Sequence, residues 1–383
     1  MSKQFETRCI HGNMDFSYQD ATRAVSFPIF QTATFGHIGL GQSTGFDYTR
    51  EKNPTRQRLE ETVSALEGAY DTVAFTSGMA AISVCLELFE PGDHIICSED
   101  LYGGVTRLNN IVNRKNGLVI DYVDTCQIEN IRQKLRPETK ALYIETPSNP
   151  MMNVTDLRAC AQLAHEKGIL LIVDNTFLSP YFQNPFSLGA DLVLHSGSKF
   201  LSGHNDTIAG FLCSANKELA DRIRLLAKTT GATLAPFDCW LVLRGLKTLA
   251  VRLERQQQNA EEIARWLTAR PEICKVFYAG LPEHPGYDIN KAQARGAGSM
   301  ISFRTDSVET AHRILDKVRL ITFAESLGGT ESLITYPMVQ THPDVPRKMR
   351  EHLGITETLL RLSVGLENVQ DIIEDLTQAL EET

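Results

Sequence analysis

The chain has 383 residues, of which 42% are hydrophobic and 22% charged, and its 38 basic and 47 acidic side chains give a net charge of −9. This excess of acid without a long basic run argues against nucleic acid as the main partner, and no apolar run approaches the roughly 18–20 residues that span a bilayer. The N-terminus lacks the basic and apolar pattern of a signal peptide, so we predict a cytoplasmic protein. A chain this long exceeds one hydrophobic core, which predicts two domains and a terminal arm.

The first sixty residues are rich in Gly, Ser, Thr and aromatic residues and show little periodicity, so residues 1–60 are predicted to form an arm. From Asp71 onward, short runs of Ile, Val and Leu alternate with segments of helical spacing. The predicted strands are 94–97, 118–123, 141–144, 169–173, 192–194 and 209–213, and the helices between them are 79–89, 128–135 and 157–165. This alternation predicts an α/β fold with a mostly parallel sheet covered on both faces, in a large domain at residues 61–238.

Residues 240–269 form a long proline-free pattern of helical spacing that ends before Pro271, as expected of a helix that connects two domains. Beyond it, strand patterns at 275–278, 299–303 and 360–364 and helical patterns at 309–318 and 369–380 predict a smaller α+β domain. The connector and this domain are assigned to residues 239–383.

The eight cysteines are scattered without a CxxC pair or a Cys/His cluster at the spacing of metal ligands. Several have apolar neighbours, as Cys97 does in Ile95-Ile96-Cys97. We therefore predict reduced, mostly buried thiols and no metal site.

Two strands of the predicted sheet end in residues that can carry chemistry. Asp174 lies at the end of a buried strand, and Lys199 follows the next one in the run His195-Ser196-Gly197-Ser198-Lys199. Open α/β sheets bind their ligands at this edge, where a desolvated lysine has a lowered pKa and can act as a Schiff-base nucleophile. The small-residue turn at 76–80 leads into a helix whose N-terminal N–H groups could receive a phosphate.

Each feature alone also has a plainer interpretation, because Lys199 could be a surface lysine and many helices begin with a small-residue turn. Their combination is more specific. A pyridinium needs an anion at its ring nitrogen, an aldehyde needs an amine, and a phosphate needs amide, hydroxyl and cationic donors, and each demand has a candidate. His195 is different, since its neighbours are apolar and no metal partner accompanies it, and we interpret it as structural.

Taken together, these residues resemble a known family, the Cys/Met-metabolism enzymes of pyridoxal-5′-phosphate (PLP) fold type I. The resemblance covers nearly the whole chain, and it implies an aspartate-aminotransferase-like fold with a seven-stranded, mostly parallel sheet and PLP as the cofactor. It rests on the motifs FDYTREKNPTR (46–56), TSGMAA (76–81), DLYGG (100–104), ETPSNP (145–150), DNTF (174–177), HSGSKF (195–200), AESLGGTES (324–332) and LRLSVGLE (360–367).

By this resemblance, Lys199 carries PLP as a Schiff base and shuttles protons, Asp174 pairs with the pyridine nitrogen and Tyr102 stacks on the ring. These three are the expected catalytic residues. The remaining expected cofactor contacts are Asn149, Thr176, the amides of Gly78 and Met79, the hydroxyls of Ser196 and Ser198, and Tyr48 and Arg50 from a neighbouring subunit. The expected substrate contacts are Arg361, which grips the α-carboxylate, with Ser326, Asn149 and Glu325.

The resemblance also bears on partners and on the reaction. It implies small-molecule amino-acid substrates and self-association, as a dimer that assembles into a tetramer. Glu325 resembles the γ-synthases and γ-lyases, whereas enteric cystathionine β-lyases tend to carry an aromatic residue there. Gly104 stands where methionine γ-lyases usually have a cysteine.

We therefore predict a γ-replacement that joins an O-acylhomoserine to cysteine or sulfide, giving cystathionine or homocysteine. The alternatives are a cystathionine γ- or β-lyase and, from another class, a PLP-binding regulator without catalysis. Glu51 follows Arg50 where enteric γ-synthases have a second arginine, and GHND (203–206) replaces the commoner GHSD. The acidic Glu51 favours the neutral O-acetyl ester over the succinyl ester as the donor.

Overall fold

The structure is a computed structural model that describes residues 3–12, 24–343, 345 and 347–381. Parts of the predicted arm, residues 1–2 and 13–23, lie outside the described residues. The larger sheet has seven strands, as predicted. They are β1 (Asp71–Phe75), β2 (His94–Ser98), β3 (Val119–Val123), β4 (Thr139–Glu145), β5 (Leu170–Asp174), β6 (Leu192–Ser196) and β7 (Gly210–Ser214).

The spatial order of this sheet is β1-β7-β6-β5-β4-β2-β3. Neighbours from β6 to β3 pair in parallel, and only β7 runs antiparallel, to both β6 and β1. The sheet is therefore mostly parallel. Its parallel strands β4, β5 and β6 end side by side, at Glu145, Asp174 and Ser196.

Both faces of the sheet are buried, which explains the near-continuous apolar runs in its strands. In β5, Ile172 packs into one core cluster, while Leu171 and Val173 pack into another on the opposite face. Asp174 follows Ile172 by two residues, so its side chain lies on the Ile172 face. The alternation thus decides which polar strand ends share a face.

Helices cover the two faces and connect the strands. Several begin at a side-chain cap: Asn53 accepts from the Thr55 amide before α2, and Asp156 accepts from the Ala159 amide before α6. The helices as far as the connector are α1 (Phe5–His11), α2 (Pro54–Glu67), α3 (Gly78–Leu86), α4 (Gly103–Leu108), α5 (Ile128–Lys134), α6 (Leu157–Lys167), α7 (Ser179–Phe182), α8 (Lys217–Thr230), α9 (Pro236–Leu246) and α10 (Leu249–Thr268). A π-helical turn spans Asn109–Asn113 and a 3₁₀ turn spans Pro185–Leu188.

The connector differs from its prediction, because α9 and α10 are two helices where the pattern at 240–269 predicts one. The break follows Gly245, whose backbone lies so close to Ser202 that a Cβ there would overlap the Ser202 carbonyl. Arg252 then donates to the Gly245 carbonyl at 3.0 Å and to the Thr248 hydroxyl at 3.2 Å. The Gly245 carbonyl also accepts from the amide and the hydroxyl of Thr248, both at 3.2 Å, so Arg252 adds a further bond at the break.

The smaller sheet has five strands in the order β10-β11-β12-β9-β8. Its helices enclose a third core, in which Ile301 and Phe303 of one strand meet Leu360 and Leu362 of another. The strands are β8 (Ile273–Phe277), β9 (Met300–Thr305), β10 (Thr322–Phe323), β11 (Leu333–Thr335) and β12 (Leu359–Ser363), and the helices are α11 (Tyr287–Gln293), α12 (Val308–Lys317), α13 (Arg347–Leu353) and α14 (Val369–Leu380). The domain boundaries at residues 60 and 238 stay predictions.

The start of the chain behaves differently from an extended arm. Helix α1 buries Phe5 and Cys9 in the main core of its own chain. In contrast, residues between 24 and 52 are largely exposed, and Ile38 and Leu40 have 75% and 104% of their surface accessible. Only this second stretch has the character predicted for the arm.

The structure also bears on the membrane and thiol predictions. Within the described residues, no helix is both long and apolar enough to cross a membrane. All eight cysteines are free thiols, six of them buried, while Cys126 is half-buried and Cys274 exposed. Across the same part of the chain, no group of three or more Cys, His, Asp or Glu side chains is arranged to hold a metal ion.

His195 has the structural position predicted for it. Its Nε2 lies 3.1 Å from Oε2 of Glu67 at the end of α2, and both side chains are almost completely buried. Phe211 and Val193 of the same face belong to the core cluster that faces α2. The pair therefore joins α2 to β6 on the face opposite Asp174.

We expect Glu67→Ala to lower the free energy of unfolding by about 3 kcal/mol, because it leaves a buried imidazole without its partner. Glu67→Gln is the matched control, since an amide still hydrogen-bonds, and should cost about 1 kcal/mol. Urea unfolding followed by far-UV circular dichroism, at one fixed protein concentration, measures both. Unchanged stability of Glu67→Ala would contradict the structural role of the pair.

Candidate active site

A cavity of about 690 Å³ lies at the carboxyl ends of β4, β5 and β6, between the two sheets. Most of its lining comes from strand ends, turns and helices around the larger sheet, and a smaller share comes from residues 324–361 of the smaller sheet's side. The structure brings twelve of the predicted site residues to it: Gly78, Met79, Tyr102, Asn149, Asp174, Thr176, Ser196, Ser198, Lys199, Glu325, Ser326 and Arg361.

Lys199 occupies the turn that follows β6, and its Nζ donates a 2.8 Å hydrogen bond to the hydroxyl of Ser326. Burial, assisted by the charge of Arg361, lowers the pKa of the lysine to about 8. A substantial fraction of the amine is therefore neutral near physiological pH. A neutral amine is the form that attacks a carbonyl or takes a proton.

Arg361 lies on β12 and is only 2% exposed. Its Nη1 donates to Asn149 Oδ1 at 2.8 Å, and its Nη2 donates at 3.1 Å to the Ser326 carbonyl and the Thr335 hydroxyl. Its Nε has no hydrogen-bond partner among the described residues. Burial lowers the pKa of Arg361 to about 10, although Glu145 and Tyr102 act in the opposite direction. The guanidinium is thus a buried cation in the wall of the cavity, as a carboxylate site requires.

The loop at 324–332 presents Ser326 to both cations. Ser326 has a φ of 87°, which is uncommon for serine, and this turn points its carbonyl at Arg361 while its hydroxyl meets Lys199. Gly328, also at positive φ, packs against the backbone of Phe200, where a Cβ would come within 2.7 Å of the amide nitrogen. The glycine explains why this loop can lie directly on the segment that carries Lys199.

Asp174 ends β5 as a buried carboxyl whose Oδ1 accepts from the Thr176 amide at 3.0 Å. The Thr176 hydroxyl accepts in turn from the Ser196 amide at 2.9 Å, which ties the ends of β5 and β6 together. Burial raises the pKa of Asp174, and hydrogen bonds from Thr176 and the nearby His195 oppose that rise. Asp174 is therefore an acceptor placed in a cavity of low polarity.

The turn before α3 forms a concave cradle. Ser77 caps the helix by accepting from the Ala80 amide at 3.0 Å, which leaves the amides of Gly78 and Met79 at the exposed N-terminal turn. Gly78 packs on Ser196, whose Cβ would be 3.1 Å from a Cβ added at Gly78. Amide donors, hydroxyls and the positive end of a nine-residue helix suit a phosphate.

The hydroxyl of Ser198 is already engaged, because it donates to the Ala209 carbonyl at 3.2 Å and accepts from the Ala209 amide at 3.0 Å. It can still accept or share a contact with a ligand, but its first role here is to hold the turn before Lys199. Ser196 is the more available hydroxyl of the two predicted ones.

Tyr102 precedes α4 and lies at the edge of the cavity, with 39% of its surface exposed. Its ring packs on Gly104, where an added Cβ would overlap ring carbon Cε1. Any side chain at position 104 would therefore displace the ring. The glycine and the aromatic ring form one unit, a flat apolar wall suited to stacking on a planar ligand.

Tyr48 and Arg50 are the two predicted site residues that are absent from the lining of this cavity, among the described residues. Arg50 donates to the Lys228 carbonyl at 2.6 Å, and its guanidinium lies 5.6 Å from the centre of the Tyr48 ring. Both therefore sit at the end of α8 on the surface of their own chain. Their predicted action on a neighbouring subunit stays a prediction.

Several residues in or next to the cavity lining were not singled out from the sequence. Glu145 ends β4 next to Asp174, and Thr335 faces Arg361 across the strand pair β11–β12. His342 lies 3.2 Å from the Asn149 carbonyl, and burial lowers its pKa to about 4. The strand-end rule that identified Asp174 also applies to Glu145, so that residue had a signal in the sequence. The positions of Thr335 and His342 depend on contacts between distant segments, which no local pattern indicates.

Two acidic residues outside the cavity lining have structural partners. Glu331 accepts from Asn205 Nδ2 at 2.8 Å, and Glu367 accepts from the Ser332 amide and hydroxyl at 2.6 and 2.9 Å. The first bond connects the GHND loop to the loop that carries Ser326. It helps to close the cavity from the side of the smaller sheet.

These residues fit a phosphorylated pyridine aldehyde. The fit rests on the donor set: an amine of lowered pKa, a buried carboxyl, an aromatic wall, a helix N-terminus with hydroxyls, and a buried guanidinium with an unpartnered Nε. A cavity of about 690 Å³ is large enough for such a group together with an amino acid.

Comparison with known proteins agrees with this fit. The sequence profile of the family described as Cys/Met metabolism PLP-dependent enzyme matches residues 6–381. Cystathionine gamma-lyase of Bacillus subtilis (strain 168) is 46% identical over 376 residues, which are 98% of this chain and 99% of the relative. Cystathionine gamma-synthase of Haemophilus influenzae (strain ATCC 51907 / DSM 11121 / KW20 / Rd) is 47% identical over 380 residues, which are 99% of each.

Solved structures agree as well. The crystal structure of cystathionine gamma synthase from Xanthomonas oryzae pv. oryzae, in complex with aminoacrylate and cysteine, superposes with a TM-score of 0.96 at 38% identity. The match covers 99% of this chain and 98% of that chain. The predicted PLP fold type I architecture is thereby confirmed.

The lowered pKa of Lys199 predicts how PLP joins the cofactor-free protein. Because only the neutral amine attacks an aldehyde, the rate of covalent attachment should rise with pH and level off above about 8, rather than near the ordinary lysine value of 10.5. The growth of visible absorbance after mixing, recorded over a series of pH values, measures it. Lys199→Ala should give no such absorbance, whereas Lys217→Ala, at an exposed lysine, should leave the profile unchanged. A midpoint near 10.5 would show that the amine is not desolvated.

Proposed function

The chain belongs to the Cys/Met metabolism PLP-dependent enzymes, and on that premise we propose that it catalyses γ-replacement, joining an O-acylhomoserine to cysteine or sulfide. The observation that carries the choice of γ over β chemistry is Glu325, which lines the cavity beside the serine that holds Lys199. An aromatic residue at this place, as in the enteric β-lyases of the resemblance, would fill space that a γ-substituent needs. The products are cystathionine or homocysteine, with release of the acyl group as a carboxylic acid.

Bound PLP supplies the electron sink that stabilises negative charge at the substrate carbons. The residues of this chain do the rest. Arg361 binds the substrate α-carboxylate, and Asn149 and Ser326 keep the guanidinium oriented. This arrangement fixes which face of the substrate meets Lys199.

Lys199 Nζ moves the protons. With its pKa lowered to about 8, the amine can take a proton from the substrate α-carbon and return it. The hydrogen bond to Ser326 holds Nζ in place between these transfers. Asp174 would hold a negative charge at the ring nitrogen of bound PLP, and Tyr102 would cover the ring and exclude water from that side.

The second candidate is the cleavage of cystathionine. The 46% identity to a γ-lyase supports cleavage about as well as the 47% identity to a γ-synthase supports replacement. Both reactions use every residue named above. They differ in whether a thiol enters after the γ-substituent leaves. The contact between Gly104 and the Tyr102 ring does not distinguish replacement from cystathionine cleavage. It favours both reactions over that of a methionine γ-lyase, which would have a cysteine at position 104.

The proposal predicts that purified protein converts O-acetylhomoserine and cysteine to cystathionine at least about tenfold faster than it degrades cystathionine, a difference of about 1.4 kcal/mol in activation free energy. Mass spectrometry of the products separates the outcomes. Cystathionine alone would yield cysteine and 2-oxobutanoate by γ-elimination, or homocysteine and pyruvate by β-elimination, each with ammonia. If either oxoacid is released faster than cystathionine is formed, the protein is the corresponding lyase and the γ-replacement proposal is wrong.

The acetyl preference rests on Glu51, and the structure qualifies its strength. The Glu51 carboxylate lies 2.8 Å from Lys228 Nζ, so part of its charge is offset by an ion pair. We therefore propose O-acetylhomoserine as the donor with a modest preference over the succinyl ester.

We also propose that the working unit is at least a dimer whose sites are shared between chains. The exposed side chains of Ile38 and Leu40 support this, because such an apolar stretch is normally covered. Tyr48 and Arg50 lie outside the cavity of their own chain and are available to a neighbour. Assembly of two dimers into a tetramer is part of the same proposal.

Mixing two inactive variants tests the shared site. Co-expressed Arg50→Ala and Lys199→Ala chains form heterodimers with one intact site in two, so random pairing should restore about a quarter of the unmodified activity. Differently tagged chains allow the heterodimers to be isolated. Activity no higher than that of the Arg50→Ala parent, in heterodimers shown to be present, would show that Arg50 does not act on the site of the neighbouring chain.

A further inference from the structure

The loop at 336–343, which follows β11, forms part of the cavity wall. Gln340, Thr341 and Pro343 line the cavity. The loop lies against the start of α4, where a Cβ added at Gly103 would come within 2.5 Å of the Thr341 carbonyl oxygen. His342 lies between two of these lining residues, is 1% exposed and has no part in the proposed reaction.

The two ring nitrogens of His342 have different partners. Nε2 lies 3.2 Å from the Asn149 carbonyl oxygen, which can only accept, so Nε2 carries a proton and donates. Nδ1 lies 2.7 Å from the Thr341 hydroxyl, which donates to it when the ring is neutral. Burial and the nearby charge of Arg361 lower the pKa of His342 to about 4, which favours the neutral ring. The imidazole is therefore held in one tautomer, with its N–H directed at Asn149.

Asn149 is held at both of its backbone groups. Its amide donates to the carboxyl group of Glu145, and its carbonyl accepts from His342. Its side-chain Oδ1 accepts from Arg361 Nη1 at 2.8 Å. The position of the Asn149 backbone therefore determines where this acceptor meets the guanidinium.

The bond to Asn149 ties Arg361 to the larger sheet, whereas its bonds to the Ser326 carbonyl and the Thr335 hydroxyl come from the side of the smaller sheet. A guanidinium is planar and binds a carboxylate well only when its plane is correctly oriented. If the Asn149 carbonyl loses its donor, the backbone is free to shift and the guanidinium loses the acceptor that fixes its plane. Such a change would affect the binding of a carboxylate more than that of an amine.

We propose that His342 is a positioning residue for the substrate α-carboxylate: its Nε2–H holds the Asn149 carbonyl, and through Asn149 it sets the orientation of the Arg361 guanidinium. The inference rests on the proposed binding of the α-carboxylate by Arg361. His342 acts as a fixed hydrogen-bond donor and transfers no proton, because both of its ring nitrogens are engaged.

Two probes that differ only in the carboxylate test this role. Norleucine has an unreactive side chain, and pentylamine is the same molecule without its carboxylate. Titration of the PLP-loaded protein with each, followed by the visible absorbance of the cofactor at one pH, gives the Kd values. In His342→Phe, which keeps a ring but lacks the donor, the Kd for norleucine should rise about tenfold, while that for pentylamine should stay within about twofold.

His342→Gln and His342→Met form a matched pair of similar length. The glutamine amide nitrogen can take the place of Nε2, so both Kd values should stay within about threefold of those of the unmodified protein, whereas methionine has no donor and should behave like phenylalanine. This pair keeps the test available if His342→Phe does not fold. Equal weakening of norleucine and pentylamine in the variants without a donor would overturn the proposal, as would unchanged norleucine binding or a glutamine variant no better than methionine.

Arg361→Lys separates this inference from the function on which it rests. Lysine keeps the positive charge but not the planar pair of donors, so norleucine binding should weaken at least about tenfold. Unchanged binding in Arg361→Lys would refute the proposed role of Arg361 and this inference with it. A loss in Arg361→Lys without a loss in His342→Phe would overturn this inference alone. Norleucine has no γ-leaving group, so neither result depends on whether the enzyme catalyses replacement or cleavage.

Discussion

The buried guanidinium of Arg361 joins the two sheets of this protein. Arg361 comes from the smaller sheet, and its bonds reach Asn149 after β4 of the larger sheet as well as Ser326 and Thr335 of its own side. A buried cation without partners would be strongly destabilising, so these contacts must form together. Because Ser326 also accepts from Lys199, the same constraint positions the amine. The cavity exists where the two sheets meet around this charge.

Burial then sets the chemistry of the other groups. Parallel strands place Glu145, Asp174 and Ser196 at one edge, where the smaller sheet removes them from water. Desolvation favours the neutral form of any ionisable group, so it raises the pKa of the carboxyls and lowers that of Lys199. One physical cause thus supplies a reactive amine and two neighbouring carboxyl groups whose pKa values are raised.

Much of this could be predicted from the sequence, because the parallel strands are short apolar runs that end in polar residues. That pattern places Asp174 and Lys199 at the same edge of the sheet, and the motif resemblance supplies their partners. Strand β1 is harder to predict, since Asp71 and Thr72 interrupt its apolar character. Helix α8 had a usable signal in Leu219, Ile223 and Ala227, which recur every four residues and are buried. The break between α9 and α10 depends on close contact with Ser202, which no local pattern reveals.

The central claim is that Lys199 is the residue to which PLP is joined in the cavity around Arg361. Reduction of the PLP-loaded protein with borohydride, followed by proteolysis and mass spectrometry, fixes the cofactor on the lysine that carries it. The account predicts a phosphopyridoxyl group on the peptide that contains Lys199 and on no other lysine at comparable yield. A label on a different lysine, or a loaded protein that reduction leaves unlabelled, would contradict it.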